Sequence, residues 1–183
     1  MRIGILRTSN VDAGLVERVQ ENLKTAFPNA ECTLINETFP SVKDSLDRER
    51  NQHRSDVILN ALANLAKGTR DFDYVLGIVD ADLFVPPLSF VFGQAKSPGR
   101  VALISLHRLR PEFYRRKADG DALLERCTKE AVHELGHTLG LGHCSNPFCV
   151  MHFSNSIFDT DRKQSLFCNK CQLKMEAATD TLV

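Results

Sequence analysis

The chain opens on a short apolar run at residues 2–6 (RIGIL), which reads as a strand. Leu15, Val16, Val19, Leu23 and Phe27 then recur at helical spacing and share one face of a helix over residues 11–27. Asn10 stands where a cap belongs, and Pro28 and Asn29 end the pattern. Residues 31–36 (ECTLIN) are a second strand candidate. Residues 41–56 are mostly polar or charged and predict a solvated connection or the exposed start of a helix. Val57, Ile58, Leu62, Leu65 and Ala66 carry that helix forward until Gly68 closes it. Residues 74–79 (YVLGIV) have the continuous apolar character of a buried strand. Asp80, Ala81 and Asp82 follow it, and Pro86 and Pro87 mark a turn. Residues 89–95 and 101–106 are two more strands, joined through Ser97, Pro98 and Gly99. They are close enough to pair antiparallel, one of them as an exposed edge. The polar, basic stretch 107–120 reads as a solvated loop. Asp121 then caps a helix with apolar positions at Leu124, Cys127, Ala131, Leu135 and Leu139, ending near Gly140 and Gly142. This β-α-β-α-β alternation predicts an α/β fold, a sheet layered with helices.

With 183 residues the chain is expected to form one domain with an adequate core and no need of disulfides. Its 43% hydrophobic and 25% charged residues exclude disorder. Lys plus Arg equals Asp plus Glu at 23 each, so no basic excess points to a nucleic-acid partner. No apolar run approaches the ~18 residues of a membrane span. The opening residues lack the shape of a secretory leader, so the cytoplasm is the expected location. Cysteine and histidine change the picture. There are six of each, and four of each lie between His133 and Cys171. In a reducing compartment such clustering points to metal. His53 and His107 stand apart and take no metal role. Cys32 and Cys127 fall on apolar faces and read as inert buried thiols.

The segment 133–143 (HELGHTLGLGH) carries the chemistry. His133 and His137 are four apart on the predicted helix, so both imidazoles reach one ion. Glu134 sits beside the first ligand, where its carboxylate can reach a water on the metal. Gly140 allows a sharp turn that brings His143 back as a third nitrogen ligand. The fourth position stays open, as catalytic zinc requires. Zinc would lower the pKa of its water to about 7, and Glu134 would move a proton from that water to a leaving amine. A second group follows at once. Cys144 and Cys149 form one local pair, and Cys168 and Cys171 another. Four thiolates in two pairs match a closed structural zinc site. Such a site would tie the segment 144–171 to the helix and replace the core it lacks. Two disulfides or a redox pair are the other readings of these cysteines.

These residues resemble the extended zinc signature of the metzincin metallopeptidases. The third histidine followed directly by Cys144, then Cys149, Met151 and the later C-x-x-C pair, resembles the archaemetzincins in particular. The resemblance implies a metzincin-like mixed twisted sheet with an active-site helix (1–143) and a small zinc-stabilised C-terminal part (144–183). It implies two zinc ions: a catalytic one on His133, His137 and His143 with Glu134 as base, and a structural one on the four cysteines. Met151 would be the Met-turn residue beneath the imidazoles. The resemblance also implies a sheet edge that aligns substrate, here Phe90, Val91, Phe92, Gly93, Gln94 and Ala95. The chain departs from some metzincins in lacking a tyrosine after the Met-turn. Phe153 stands nearby instead, leaving His152 or Asn155 as donors for the oxyanion. No blocking-cysteine pro-segment is expected. The function expected is a zinc metallopeptidase acting on peptides or proteins as a monomer. A preference for short peptides or free amino ends would use Asp80 or Asp82. A peptide- or partner-binding module without turnover is the alternative. A nucleic-acid reader built on the cysteine cluster fits the neutral charge poorly.

Overall fold

The computed structural model describes residues 1–37, 39–69 and 71–180. In chain order its elements are β1 (Arg2–Arg7), α1 (Ala13–Ala26), β2 (Glu31–Leu34), β3 (Leu46–Asp47), β4 (Gln52–Arg54) and α2 (Ser55–Gly68). There follow β5 (Tyr74–Val79), β6 (Leu83–Phe84), β7 (Gly93–Ala95), β8 (Val101–Ser105), α3 (Gly120–Thr138), α4 (Ile157–Arg162) and α5 (Asn169–Asp180). Alternation along the central strands sets the layers. In β5, Tyr74, Leu76 and Ile78 join one core and Val75 and Val79 the other. β8 repeats this, with Ala102 and Ile104 opposite Val101 and Leu103. A strand apolar at every position must be covered on both faces. Here α1 and α3 cover one face and α2 the other.

The main sheet has the order β2-β1-β5-β8-β7. Its first four strands are parallel, and β7 runs antiparallel to β8 with no strand on its far side among the described residues. A small second sheet has the order β3-β4-β6. This mixed α/β arrangement is the fold class read from the sequence. No helix among the described residues is long and apolar enough to cross a membrane.

The differences from expectation lie at element ends. Asp12, not Asn10, caps α1, its Oδ1 accepting from the Leu15 amide at 2.8 Å. Asn10 is drawn away by its own bonds with Thr8 and the Asp80 carbonyl. Asp119, not Asp121, caps α3 by accepting from the amides of Asp121 and Ala122. The polar stretch 41–56 holds the β3–β4 hairpin, and α2 begins only at Ser55. The strand expected over 89–95 shrinks to Gly93–Ala95, since Phe90, Val91 and Phe92 follow an irregular path. The stretch 107–120 is no free loop. Arg108 grips Asp82 with two bonds of 2.5 and 2.9 Å, and Arg110 grips Asp80 at 2.7 and 3.1 Å.

Candidate metal and active site

α3 brings the first ligands together because it is buried almost throughout against β7, β8 and α1. Gly136 sits in the last turn of α3, where glycine still costs up to about 1 kcal/mol relative to alanine. Contact explains it: a Cβ there would stand 2.5 Å from Met151 Sδ and 3.3 Å from Phe167 Cε1. Met151 thus packs directly under the helix turn between His133 and His137, fully buried. The helix stops at Thr138. Gly140, at φ +85°, takes the left-handed conformation, and the Leu141 amide returns to the Gly136 carbonyl at 3.1 Å. The chain reverses and lays the His143 ring 4.8 Å from that of His137 and 5.4 Å from that of His133.

The tautomers follow from the partners. His133 Nδ1 lies 2.7 Å from the Val150 carbonyl, and His137 Nδ1 lies 2.7 Å from the Leu141 carbonyl. A carbonyl can only accept, so each Nδ1 carries the proton and each Nε2 carries a bare lone pair. Those two Nε2 atoms face each other at 3.1 Å. Two lone pairs so placed repel unless a cation lies between them. Nitrogens bound to one tetrahedral zinc at ~2.0–2.1 Å stand about 3.3 Å apart, so the donors fit such an ion. Burial pushes all three imidazoles below their ordinary range, His133 furthest, which keeps them neutral for ligation.

Glu134 is buried, its carboxylate pressed on β7: a Cβ on Gly93 would stand 2.7 Å from Glu134 Cγ and 2.8 Å from Oε1. Burial raises its carboxyl well above the ordinary value, Glu130 adds to the rise, and Lys163 opposes it. The cleft beside it is lined by Gly93, His133 and Glu134 and walled by Phe90, Phe92 and Phe153. Val91 also lines it, whereas Gln94 points elsewhere and accepts from Ser55 Oγ at 2.7 Å. Neither His152 nor Asn155 lines it. His152 Nδ1 donates to the Cys144 carbonyl at 3.0 Å, and the Asn155 backbone N–H donates to Asp159 Oδ2 at 3.1 Å. Asp80 and Asp82 are committed to their arginines.

The four cysteines converge. Cys144, Cys149, Cys168 and Cys171 put their sulfurs within 4.8 Å of one another. Cys144 Sγ and Cys168 Sγ are 3.8 Å apart. A disulfide would need about 2.05 Å, whereas sulfurs held ~2.3 Å from one zinc stand about 3.8 Å apart. The pair 168–171 straddles the start of α5. The Cys171 amide there brings the Cys168 thiol down to about 7, close to the thiolate a metal takes.

Sequence reasoning missed the polar group behind the cleft. Glu130, one turn before Glu134, is buried and paired with fully buried Lys163 at 3.0 Å, and Thr160 Oγ1 donates to the same oxygen at 3.0 Å. The i, i+4 spacing of Glu130 and Glu134 was a signal for the first. Nothing in the pattern around Lys163 singled it out.

Three imidazoles close enough to share one cation, with a carboxylate beside them near a sheet edge, fit the class of zinc metallopeptidases. Comparison narrows it. The model of peptidase family M54 matches residues 15–177. The chain is 48% identical over 134 residues to an archaemetzincin of Pyrococcus horikoshii, covering 72% of this chain and 70% of that one. Crystal structures of a zinc-dependent peptidase from Methanocorpusculum labreanum and of archaemetzincin from Methanopyrus kandleri superpose with TM-scores of 0.87 and 0.83. They are 32% and 33% identical, and cover 94% and 98% of this chain and 99% and 96% of theirs. The chain belongs to peptidase family M54, the archaemetzincins, and is a zinc metallopeptidase.

Proposed function

We propose that the chain hydrolyses internal peptide bonds with one zinc held by His133, His137 and His143, and that a second zinc on Cys144, Cys149, Cys168 and Cys171 is structural. The observation that carries this reading is the pair of bare Nε2 atoms at 3.1 Å with Glu134 buried beside them. Bound there, zinc would lower the pKa of water to about 7 and polarise the scissile carbonyl. Glu134 takes the proton from the attacking water and delivers it to the leaving amine. The peptide lies extended along β7, whose far edge has no strand, and adds to the sheet through its backbone. Met151 forms the floor.

Amino-end trimming is the weaker form of this reading. The α-amine of such a substrate needs a carboxylate in the cleft. Glu130 lines the cleft, but Lys163 and Thr160 already occupy its Oε1. The test uses zinc-loaded protein on a mixed peptide library, with cut positions read by mass spectrometry. Glu134→Gln, with zinc content checked, is expected to lose about 10²–10⁴-fold in rate. Cleavage that persists in Glu134→Gln would overturn the role of Glu134. Cuts confined to the first bond would establish trimming instead.

A further inference from the structure

Ser154 lies three residues beyond Met151, on the wall of the cleft shared by Glu134 and His133. Its hydroxyl is covered from solvent and has no hydrogen-bond partner among the described residues. Buried polar groups are nearly always paired with protein or water, so an unpartnered hydroxyl at a cleft is a place where a ligand can supply the bond. Of the other walls, Leu88, Phe90, Val91, Phe92 and Phe153 are apolar, Glu130 is paired with Lys163, and His133 and Glu134, the polar groups of the site itself, make no hydrogen bond to Ser154.

We propose that Ser154 determines specificity, selecting peptides whose residue just after the scissile bond carries a small hydrogen-bonding side chain: Ser, Thr or Asn. This rests on the peptidase reading above. Three observations lead to it. Glu134 protonates the leaving nitrogen, so the residue bearing that nitrogen lies on the Glu134 side, where this pocket opens. The pocket measures about 50 Å³. At ~10–15 Å³ for each water-sized group, it takes roughly three to five such groups, enough for Thr, Val or Asn and too few for Phe. Its wall is also braced against widening. Phe90 and Phe92 meet edge-to-face at 5.3 Å, and the Arg108 guanidinium, fixed by Asp82, lies 4.5 Å over Phe90. Within that size limit, Ser154 separates Thr from the isosteric Val. Val leaves the hydroxyl orphaned, while Thr pairs it.

The test uses peptides differing only at the residue after the cut: Thr, Ser, Val, Ala and Phe. Zinc-loaded wild type is expected to show kcat/KM about tenfold higher for Thr than for Val, with Phe lowest. In Ser154→Ala the Thr-to-Val ratio is expected to fall toward one, and Ser154→Thr to keep a ratio above it. A purely structural role would change all peptides together. Equal rates for Thr and Val in wild type, or a uniform loss across the set in Ser154→Ala, overturns the proposal. Binding without turnover separates this from the peptidase reading. Fluorescence anisotropy of labelled Thr and Val peptides on zinc-loaded Glu134→Gln, with and without Ser154→Ala, should show the same ratio in Kd. A Ser154-dependent Kd ratio together with no cleavage of any peptide by the zinc-loaded wild type would sink the peptidase reading and leave Ser154 selecting the bound side chain. Cleavage with no preference in rate or Kd would do the reverse.

Discussion

His143 and Cys144 are neighbours in the chain, yet the two ligand groups they belong to are supported in opposite ways. His133 and His137 rest on α3, packed against the sheet, with both imidazoles locked through Nδ1 onto carbonyls, and His143 comes from the exposed turn that follows. Behind them lie cores whose central side chains, such as Ile3, Leu76 and Leu103, are fully buried. The cysteines come from turns and from the first turn of α5. Their segment leaves Phe148, Phe158 and Leu173 56%, 63% and 68% exposed, although Cys149, Phe167, Cys171 and Met175 are buried and join the main core. On the reading proposed above, the protein holds the first metal in a site the sheet has organised, and the second metal holds the protein. An open three-ligand site suits chemistry because its support does not depend on the ion, and a closed four-ligand site suits scaffolding because its support does.

Metal removal breaks this comparison most directly. Zinc binding in small metal-folded units contributes ~10–16 kcal/mol, so chelation should loosen residues 144–180 far more than the sheet. Hydrogen exchange read by mass spectrometry should show those amides unprotected while β1, β5 and β8 stay closed, and Cys171→Ser should reproduce the pattern. Protection that persists across 144–180 without metal would mean the apolar contacts there suffice. The second effect limits the first. Lys163, from the C-terminal segment, is fully buried on Glu130 of α3, a latch that needs no metal. Lys163→Met strands the Glu130 charge and should destabilise by about 3–5 kcal/mol in urea unfolding. Lys163→Met with Glu130→Gln should recover much of that loss, because removing both charges removes the stranded one. A single-variant cost below 1 kcal/mol would mean water reaches Glu130.

Legibility followed the same division. The sheet and its helices were readable because burial imposes a period: 74–79 and 101–105 alternate between two cores, and α1 and α3 carry one apolar face each. The convergence of the histidines and of the cysteines was readable because a shared ion would demand those residue types at such short local spacings. Caps were misplaced by two residues, since Asn10 and Asp12, or Asp119 and Asp121, are chemically interchangeable and tertiary bonds choose between them. The Arg108–Asp82 and Lys163–Glu130 pairs span 26 and 33 positions, and no local pattern encodes such partners. α4 and α5 went unread because α4 is a six-residue element and α5 shows little amphipathic segregation.

A smaller effect falls where the two regions touch. Gly136→Ala would force Met151 Sδ, 2.5 Å from the new Cβ, and the Phe167 ring to move. Overpacking of this kind costs about 1–3 kcal/mol, partly offset by the ~1 kcal/mol gain in helix propensity. The net loss should be near 1 kcal/mol in denaturant titration, while zinc affinity at the histidines falls, because Val150, which orients His133, leads directly into Met151. Unchanged affinity would show that the two regions are mechanically independent at this contact.

The smallest effect sharpens the comparison by placing the same chemistry on both sides. Asp12 caps α1, and Ser156 and Asp159 form a reciprocal capping box on α4. Replacing either cap by Ala costs about 1 kcal/mol. The costs should appear in different places. α1 is packed into the main core and unfolds with the sheet, so Asp12→Ala should lower the global unfolding midpoint. α4 is six residues long, too short to hold itself, and is tied down through Arg126–Asp161 and Thr160–Glu130. Ser156→Ala should therefore speed hydrogen exchange across 156–163 and leave the global midpoint almost unmoved. Adding chelator should amplify that local change in Ser156→Ala and not in Asp12→Ala, because only α4 shares its support with the cysteine-bound segment. A global midpoint that falls equally in both variants would mean that the C-terminal segment unfolds with the sheet as one cooperative unit, and that the metal there stabilises the whole chain.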